Sequence, residues 1–389
     1  MTIEASRSRT RHRIRYGMVG GGQGAFIGAV HRIAARLDNE YELVAGALSA
    51  DPARAKASAA ELGVPDERAY GSFAELFERE ATRSDRMEAV AIVTPNHMHF
   101  PVAEMALRRG FHVICDKPLA TTSVEASALA RLAKETGLVF AVTYNYTGYP
   151  MVRQARAMVA RGDIGDVRVV QVEYPQAWLT DLLEATGQKQ AAWRTDPARS
   201  GAGGCVGDIG THAFNLACFV TGLQPTAVLA ELSTFVPGRR LDDNVHMLLR
   251  FDGGARGMLW ASQVAPGNEN ALRLRVYGAK GGLEWAQEDP NHLWFTPQGK
   301  LKQLITRGGD GASPEAQRVT RTPSGHPEGY LEGFANIYAE VAHALRAHRE
   351  QRPLEKEVLY PTVEDGVLGV RFIEAAVDSS KRGNLWVAL

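Results

Sequence analysis

From residue 14 to residue 144 the chain alternates short apolar runs with stretches whose apolar residues recur at helical spacing. No other feature restricts the fold as much. Strands are expected at 14–19, 41–48, 89–94, 111–115 and 139–144. Helices are expected between them at 27–37, 52–62, 73–79, 100–109 and 123–135. Asp51-Pro52 and Thr121-Thr122-Ser123-Val124-Glu125 are helix-start signals. Strands separated by helices imply right-handed crossovers and a parallel sheet. Open sheets of this kind bind ligands at the carboxyl ends of their strands.

Near residue 150 the pattern changes. A helix at 151–160 and a strand at 167–174 lead through a Gly-rich stretch to a helix at 211–220. Short strand runs follow at 227–236, 244–251, 255–263, 272–277 and 282–286. Phe251-Asp252-Gly253-Gly254-Ala255 and Gly278-Ala279-Lys280-Gly281-Gly282 punctuate them as hairpin turns. This predicts an antiparallel sheet. Residues 327–345 return to helix, with Tyr330, Phe334, Ile337, Tyr338, Val341 and Leu345 on one core-facing side. A last helix at 362–379 is expected between the two halves. Residues 306–326, rich in Gly, Ser, Pro and Arg, read as a mobile loop.

The formal charge is balanced, 44 basic against 44 acidic residues, so electrostatics point to neither nucleic acid nor an anionic membrane. No apolar stretch approaches the roughly 20 residues of a spanning helix. None follows the basic arm Arg7 to Arg15 as a signal peptide would; the arm reads as a solvated tail. Cys115, Cys205 and Cys218 have neither framework nor zinc spacing, which fits a reducing cytoplasm.

The first strand runs into Gly20-Gly21-Gly22-Gln23-Gly24-Ala25-Phe26-Ile27-Gly28. Glycines let the backbone approach a pyrophosphate, and a helix N-terminus supplies N–H groups and a positive dipole. Gly20 and Gly22 fit the first two positions of G-x-G-x-x-G, but Ala25 holds the third and Gly28 lies three residues on. The turn therefore reads as lengthened, with Gly20, Gly22, Gln23, Phe26 and Ile27 as candidate cofactor contacts. The second strand ends on Ser49 where a ribose-binding carboxylate is usual. Asp51 is expected to cap the next helix, and Arg54 faces either a phosphate or solvent. NAD and NADP are thus both admitted. Thr94, Pro95, Asn96 and His99, at the third strand's exit, suit a turn over a cofactor ribose. No acidic or cysteine ligand close by makes His97-x-His99 a metal pair, and no metal is expected.

The fourth strand delivers Asp116-Lys117-Pro118 to the same edge. In the second half, Gly201-Ala202-Gly203-Gly204-Cys205-Val206-Gly207-Asp208-Ile209-Gly210-Thr211-His212 is dense in glycine just before a helix. Asp208 and His212, four apart, share one face of a regular helix. Lysine, aspartate and histidine together suit alcohol oxidation. A histidine takes the hydroxyl proton near neutrality. A carboxylate orients the imidazole, and an ammonium favours negative charge on the reacting oxygen.

Together, the Gly20 turn, Thr94-Pro95-Asn96-His97, Asp116-Lys117-Pro118 in place of Glu-Lys-Pro, Tyr144-Asn145, Trp193-Arg194 and Gly204 through His212 resemble the Gfo/Idh/MocA oxidoreductase family (glucose–fructose oxidoreductase, inositol dehydrogenase and relatives). The resemblance implies an α/β protein: an N-terminal Rossmann domain, doubly wound on a parallel sheet, and a C-terminal α/β domain with an open, mostly antiparallel sheet. The corresponding division is 1–146 for dinucleotide binding and 147–389 for substrate binding and oligomerisation, as a homodimer or homotetramer through that sheet. It further implies that Lys117 hydrogen-bonds the reacting hydroxyl, that His212 is the proton acceptor, and that Asp208 is its partner or a substrate ligand. Tyr144, Asn145, Trp193 and Arg194 would line the sugar or cofactor pocket, Asp116 and Lys117 would meet the cofactor, and His326 would reach the substrate. The expected activity is hydride transfer between NAD or NADP and a secondary hydroxyl of a cyclic polyol, sugar or glycoside. The alternatives are a redox-assisted lyase or glycosidase with tightly bound NAD, and a non-catalytic dinucleotide-binding sensor.

Overall fold

The structure, a computed structural model, describes residues 12–389, so most of the basic arm lies outside the described residues. Its first sheet is built from β1 (Ile14–Gly20), β2 (Tyr41–Ala47), β3 (Ala89–Val93), β4 (His112–Cys115) and β5 (Phe140–Val142). The crossovers carry α1 (Phe26–Leu37), α2 (Pro52–Glu61), α3 (Phe73–Ala81), α4 (His99–Arg108) and α5 (Ser123–Thr136). Local chemistry starts several of these helices. Asp51 accepts from Arg54 N at 2.8 Å, and Thr122 from Glu125 N at 3.2 Å. All pairings are parallel, in the order β2-β1-β3-β4-β5. The winding reverses between β1 and β3, which opens a crevice at the exits of Gly20 and Val93.

Side-chain alternation along β1 divides the core. Tyr16 and Met18 pack with Val30 and Ala34 on one face, and Val19 packs with Leu76, Val102 and Phe111 on the other.

The second half begins with α6 (Pro150–Ala160) and β6 (Val167–Pro175), then α7 (Lys189–Arg194) and α8 (Pro197–Ser200). A π-helical turn (Val206–Gly210) runs into α9 (Thr211–Thr221). Next come β7 (Pro225–Ser233), β8 (Asn244–Phe251), β9 (Arg256–Ser262), β10 (Arg273–Gly278), β11 (Gly281–Ala286), β12 (His292–Pro297) and β13 (Gln303–Thr306). The chain closes with α10 (Pro314–Arg318), α11 (Tyr330–Arg349), α12 (Val363–Lys381) and β14 (Val387–Ala388). The nine strands are ordered β13-β12-β11-β10-β6-β9-β8-β7-β14. The sheet is not wholly antiparallel as the strand runs alone implied, because β6 and β9 pair in parallel. The chain leaves β6 through α7 to α9 and returns beside it only after β7 and β8, a crossover long enough for parallel pairing.

One face of this sheet packs on α6, α9 and α12, where the rings of Phe214 and Phe372 stack at 4.0 Å. The last helix joins the halves, since Ser123 N donates to Glu374 at 2.8 Å and Ala230 N to Ser379 at 2.9 Å. α11 crosses in the other direction. Its buried Phe334, Ile337, Tyr338 and Val341 join the core of the first sheet, and Tyr41 Oη donates to the Tyr338 carbonyl at 2.8 Å.

Residues 306–326 are not the loose loop their composition implied. Arg307 is buried and donates to Asn291 Oδ1 at 2.8 Å, the Thr322 carbonyl at 2.7 Å and Glu328 at 3.1 Å. Glu328 in turn accepts from the backbone N–H groups of Arg321 and Thr322 at 2.7 and 2.6 Å. The buried ion pair supplies partners for loop backbone that would otherwise need water. No helix among the described residues is long and apolar enough to cross a membrane.

Candidate active site

A cavity of about 710 Å³ lies at the carboxyl ends of β1 to β4 and is roofed by α7. Gly20, Gly22, Gln23 and Ile27 form one wall. Gly20 and Gly21 adopt φ of 80° and 73°, a region favouring glycine. The displaced third glycine finds its reason here. A Cβ on Gly28 would stand 2.4 Å from Gly21 Cα, so Gly28 is what allows α1 to pack on the turn. It does the close-packing work usually assigned three residues earlier.

Phe26 does not line this cavity: the residue is 68% exposed and borders a separate hollow on the outer side of the turn with Arg32 and Glu61. Ser49 and Arg54 line the far end of the cavity, and Ser49 Oγ accepts from Asp51 N at 3.1 Å.

The β3 exit contributes Thr94, Pro95, Asn96 and His97. Asn96 also donates to the Ser200 carbonyl at 2.9 Å, tying this loop to α8. His99 does not line the cavity. It is buried beneath it, with its ring nitrogens 2.7 Å from the Pro118 carbonyl and 2.9 Å from the Thr94 carbonyl, so it staples two site loops together. His97, which the sequence reading placed in the family motif but not among the cofactor contacts, lines the cavity with Nδ1 buried and unpartnered.

Lys117 follows β4 through a cis peptide to Pro118. Asp116 Oδ1 accepts from Lys117 N and from Thr143 Oγ1, both at 2.9 Å, which fixes the turn. The ammonium reaches across to Asp208, 3.1 Å from Oδ1, and also donates to the Asp208 carbonyl. Asp208 occupies the π turn. Such bulges leave backbone groups outside the regular helical ladder and are frequent at functional sites. Its Oδ2 accepts from Gln263 at 2.9 Å and lies 3.3 Å from Arg194 Nε. Arg194 stacks over the Trp193 ring at 4.4 Å, and both line the cavity. Burial favours a protonated Asp208, but Lys117 and Arg194 outweigh it and hold the carboxyl far below its usual range.

His212, at the start of α9, is 8% exposed and packs edge-on against Tyr144, Tyr146 and Tyr174 at 5.7, 5.0 and 6.4 Å. No hydrogen bond links it to Asp208, and its Nδ1 is unpartnered. The four-residue spacing promised a shared face, but the π turn inserts an extra residue per hydrogen-bonded loop and rotates Asp208 toward Lys117. Burial first, and the Lys117 charge second, press the imidazole well below the ordinary histidine range, with Asp208 opposing.

Three other expected substrate residues stand elsewhere. Tyr144 is buried against His212 with its hydroxyl 2.9 Å from Thr211 Oγ1, and neither ring is among the residues lining the cavity. Asn145 is likewise buried, with Nδ2 unpartnered. His326 is exposed on the Arg307-braced loop and does not line the cavity. Sequence reasoning missed Gln263, whose one signal was its place at the end of a predicted strand. It also missed Tyr146, hydrogen-bonded to Tyr174, which carried no signal.

Residues 14–144 match an oxidoreductase family's NAD-binding Rossmann fold, and 152–284 match a GFO/IDH/MocA C-terminal domain. The crystal structure of an oxidoreductase from Sinorhizobium meliloti is 57% identical, covers 97% of this chain and 100% of its own, and superposes with a TM-score of 0.89. An inositol dehydrogenase homologue from Azotobacter vinelandii, solved with NADH and myo-inositol, is 38% identical over 97% of this chain and 98% of its own, with a TM-score of 0.92. YfiI, an uncharacterised oxidoreductase of Bacillus subtilis, is 37% identical over 96% of each chain.

Proposed function

This chain belongs to the Gfo/Idh/MocA oxidoreductase family, and from that premise we propose that Lys117 and His212 act on one substrate hydroxyl beside a bound nicotinamide cofactor. The protein is an NAD(P)-dependent dehydrogenase of sugars or polyols. The observation supporting the residue assignment is the contact of Lys117 Nζ, carried past the end of β4, with Asp208, carried by the π turn of the second half, on the wall of the cavity.

The residues present suit the cofactor. The glycine turn leaves main chain open to a pyrophosphate, and the buried Thr94 Oγ1 and His97 Nδ1 stand without partners at the cavity. Bound there, NAD(P) supplies the hydride acceptor. Lys117 donates a hydrogen bond to the reacting oxygen and favours negative charge on it. His212, neutral at neutral pH, takes the hydroxyl proton. Asp208 holds the ammonium in place, and Trp193 with Arg194 limits water. Around Lys117 and Arg194 the carboxylates Asp116 and Asp208 supply matching charge, while Arg54, Lys189 and Arg199 leave the wall as a whole net positive, which suits the phosphates of a dinucleotide. Assays of NAD and NADP reduction across inositols, aldoses and glycosides test this reading. Reduction of neither cofactor by any of them rejects it, and bond cleavage without net NADH marks a lyase or glycosidase instead.

Ser49 carries a separate expectation. Ser49→Asp places a carboxylate where the ribose 2′ position belongs. Like-charge contacts cost several kcal/mol, so the ratio of kcat/KM for NAD over NADP is expected to rise at least about tenfold. An unchanged ratio removes Ser49 from the ribose site.

We propose a second copy of the chain as the partner of the open sheet face. Leu248, Met258, Gln171, Arg275, Glu284, Trp294 and Leu304 are successive cross-strand neighbours on that face. Leu248, Met258, Trp294 and Leu304 are exposed there as large apolar groups. Light scattering should find the parent as a dimer or tetramer and Met258→Arg shifted toward monomer; a monomeric parent rejects the interface. The free cysteines, with Cys115 and Cys205 buried, support a cytoplasmic setting.

A further inference from the structure

β6 and β9 are parallel neighbours, and each is followed at its carboxyl end by a glutamine, Gln176 and Gln263. Gln176 joins a polar network through Asn270, donating to its Oδ1 at 2.6 Å. Gln263 does something different. It is buried, its backbone N–H is taken by the Asp243 carbonyl at 2.8 Å, and its carboxamide donates to Asp208 Oδ2 at 2.9 Å. The Asp208 charge is already met by Lys117 at Oδ1 and Arg194 at Oδ2. The amide therefore adds direction rather than charge. Both cations are long, rotatable side chains, whereas Gln263 is held by the rigid end of a central strand.

We propose that Gln263 is a positioning residue: by holding Asp208 Oδ2 it turns Oδ1 toward Lys117, and so sets where the ammonium meets the substrate oxygen. This rests on the assignment of Lys117 to the reacting hydroxyl. The groups that titrate or carry charge around the Asp208 carboxylate are Lys117 after β4, Arg194 on α7, His212 on α9, and the phenols Tyr146 and Tyr174. On the remaining side Cys205 senses Asp208 together with Asp242 and Asp243.

The test compares Gln263→Leu and Gln263→Glu with the parent for kcat from about pH 5 to about pH 8, NADH affinity by fluorescence, and thermal melting. Gln263→Leu removes a donor to a charged group, and kcat is expected to fall about 10- to 100-fold while NADH affinity stays within about twofold. Gln263→Glu is nearly isosteric, so it keeps the test open should the leucine variant fold poorly. When protonated, the new carboxyl still donates to Asp208; when ionised, it repels Asp208. Its activity relative to the parent is therefore expected to fall at least about tenfold as pH rises, a pH signature that loss of packing alone does not produce. Parental kcat in Gln263→Leu, or equal losses in both variants at every pH, overturns the proposal. Lys117→Met, run alongside, separates the two levels. If it turns over normally, the lysine assignment has failed; if it is inactive while Gln263→Leu is unimpaired, only the role of Gln263 has failed.

Discussion

Lys117→Met is expected to bind NADH within about twofold of the parent and to lose at least about 10³-fold in kcat. Methionine keeps most of the lysine stem, so the turn built by Asp116 and Thr143 stays in place. What disappears is the one cation that bridges the two halves of the site to Asp208 Oδ1. Asp208 keeps Arg194 and Gln263, so it remains a carboxylate and the fold is not asked to bury an unpaired charge. The loss should therefore appear in turnover and not in cofactor affinity or melting temperature. Steady-state kinetics with NADH titrated by fluorescence make the measurement. Parental turnover would remove Lys117 from the chemistry.

His212→Asn is expected to lower kcat about 10²- to 10⁴-fold, the range for deleting a general base. The parent's pH profile checks the same residue independently. Burial and then Lys117 hold the imidazole well below the ordinary histidine range, with only Asp208 opposing. In the proposed role as proton acceptor, the competent form is the neutral ring. A depressed pKa keeps the ring neutral as pH falls, so the acid limb of kcat/KM should lie below the ordinary value of about 6.5. That limb should be absent or displaced in His212→Asn. A limb at the ordinary value in both proteins would assign the titration to another group.

The parallel sheet was legible because each of its signals is local. Tyr16 and Met18 alternate with Val19 along β1, and Asp51 and Thr122 cap the helices that follow them. The Arg307–Glu328 brace was not legible. A window rich in Gly, Ser and Pro gives no sign that its arginine points inward, and the partner lies 21 residues on. At the site, Gly20, Gly22, Lys117, Trp193, Arg194 and Asp208 do line one cavity. His99, Tyr144 and Asn145 instead lie buried behind it, because a motif marks a stretch of chain and says nothing of which side chains turn inward. His326 fails in the opposite sense and faces solvent.

Periodicity and turn chemistry depend on residues a few positions apart, and such neighbours are written directly in the order of amino acids. They were enough to set the parallel sheet, its glycine turn and a lysine at a strand end. The company each group keeps was decided at longer range. Lys117 meets Asp208 across 91 positions, and Gln263 meets it across 55. The π turn, whose extra residue no spacing rule foresees, points Asp208 at the lysine and leaves His212 among tyrosines. The lysine contact arises only when the two halves assemble, and the glutamine contact only when β9 settles beside the π turn, since burial and long-range geometry belong to the assembled chain and not to any window of it.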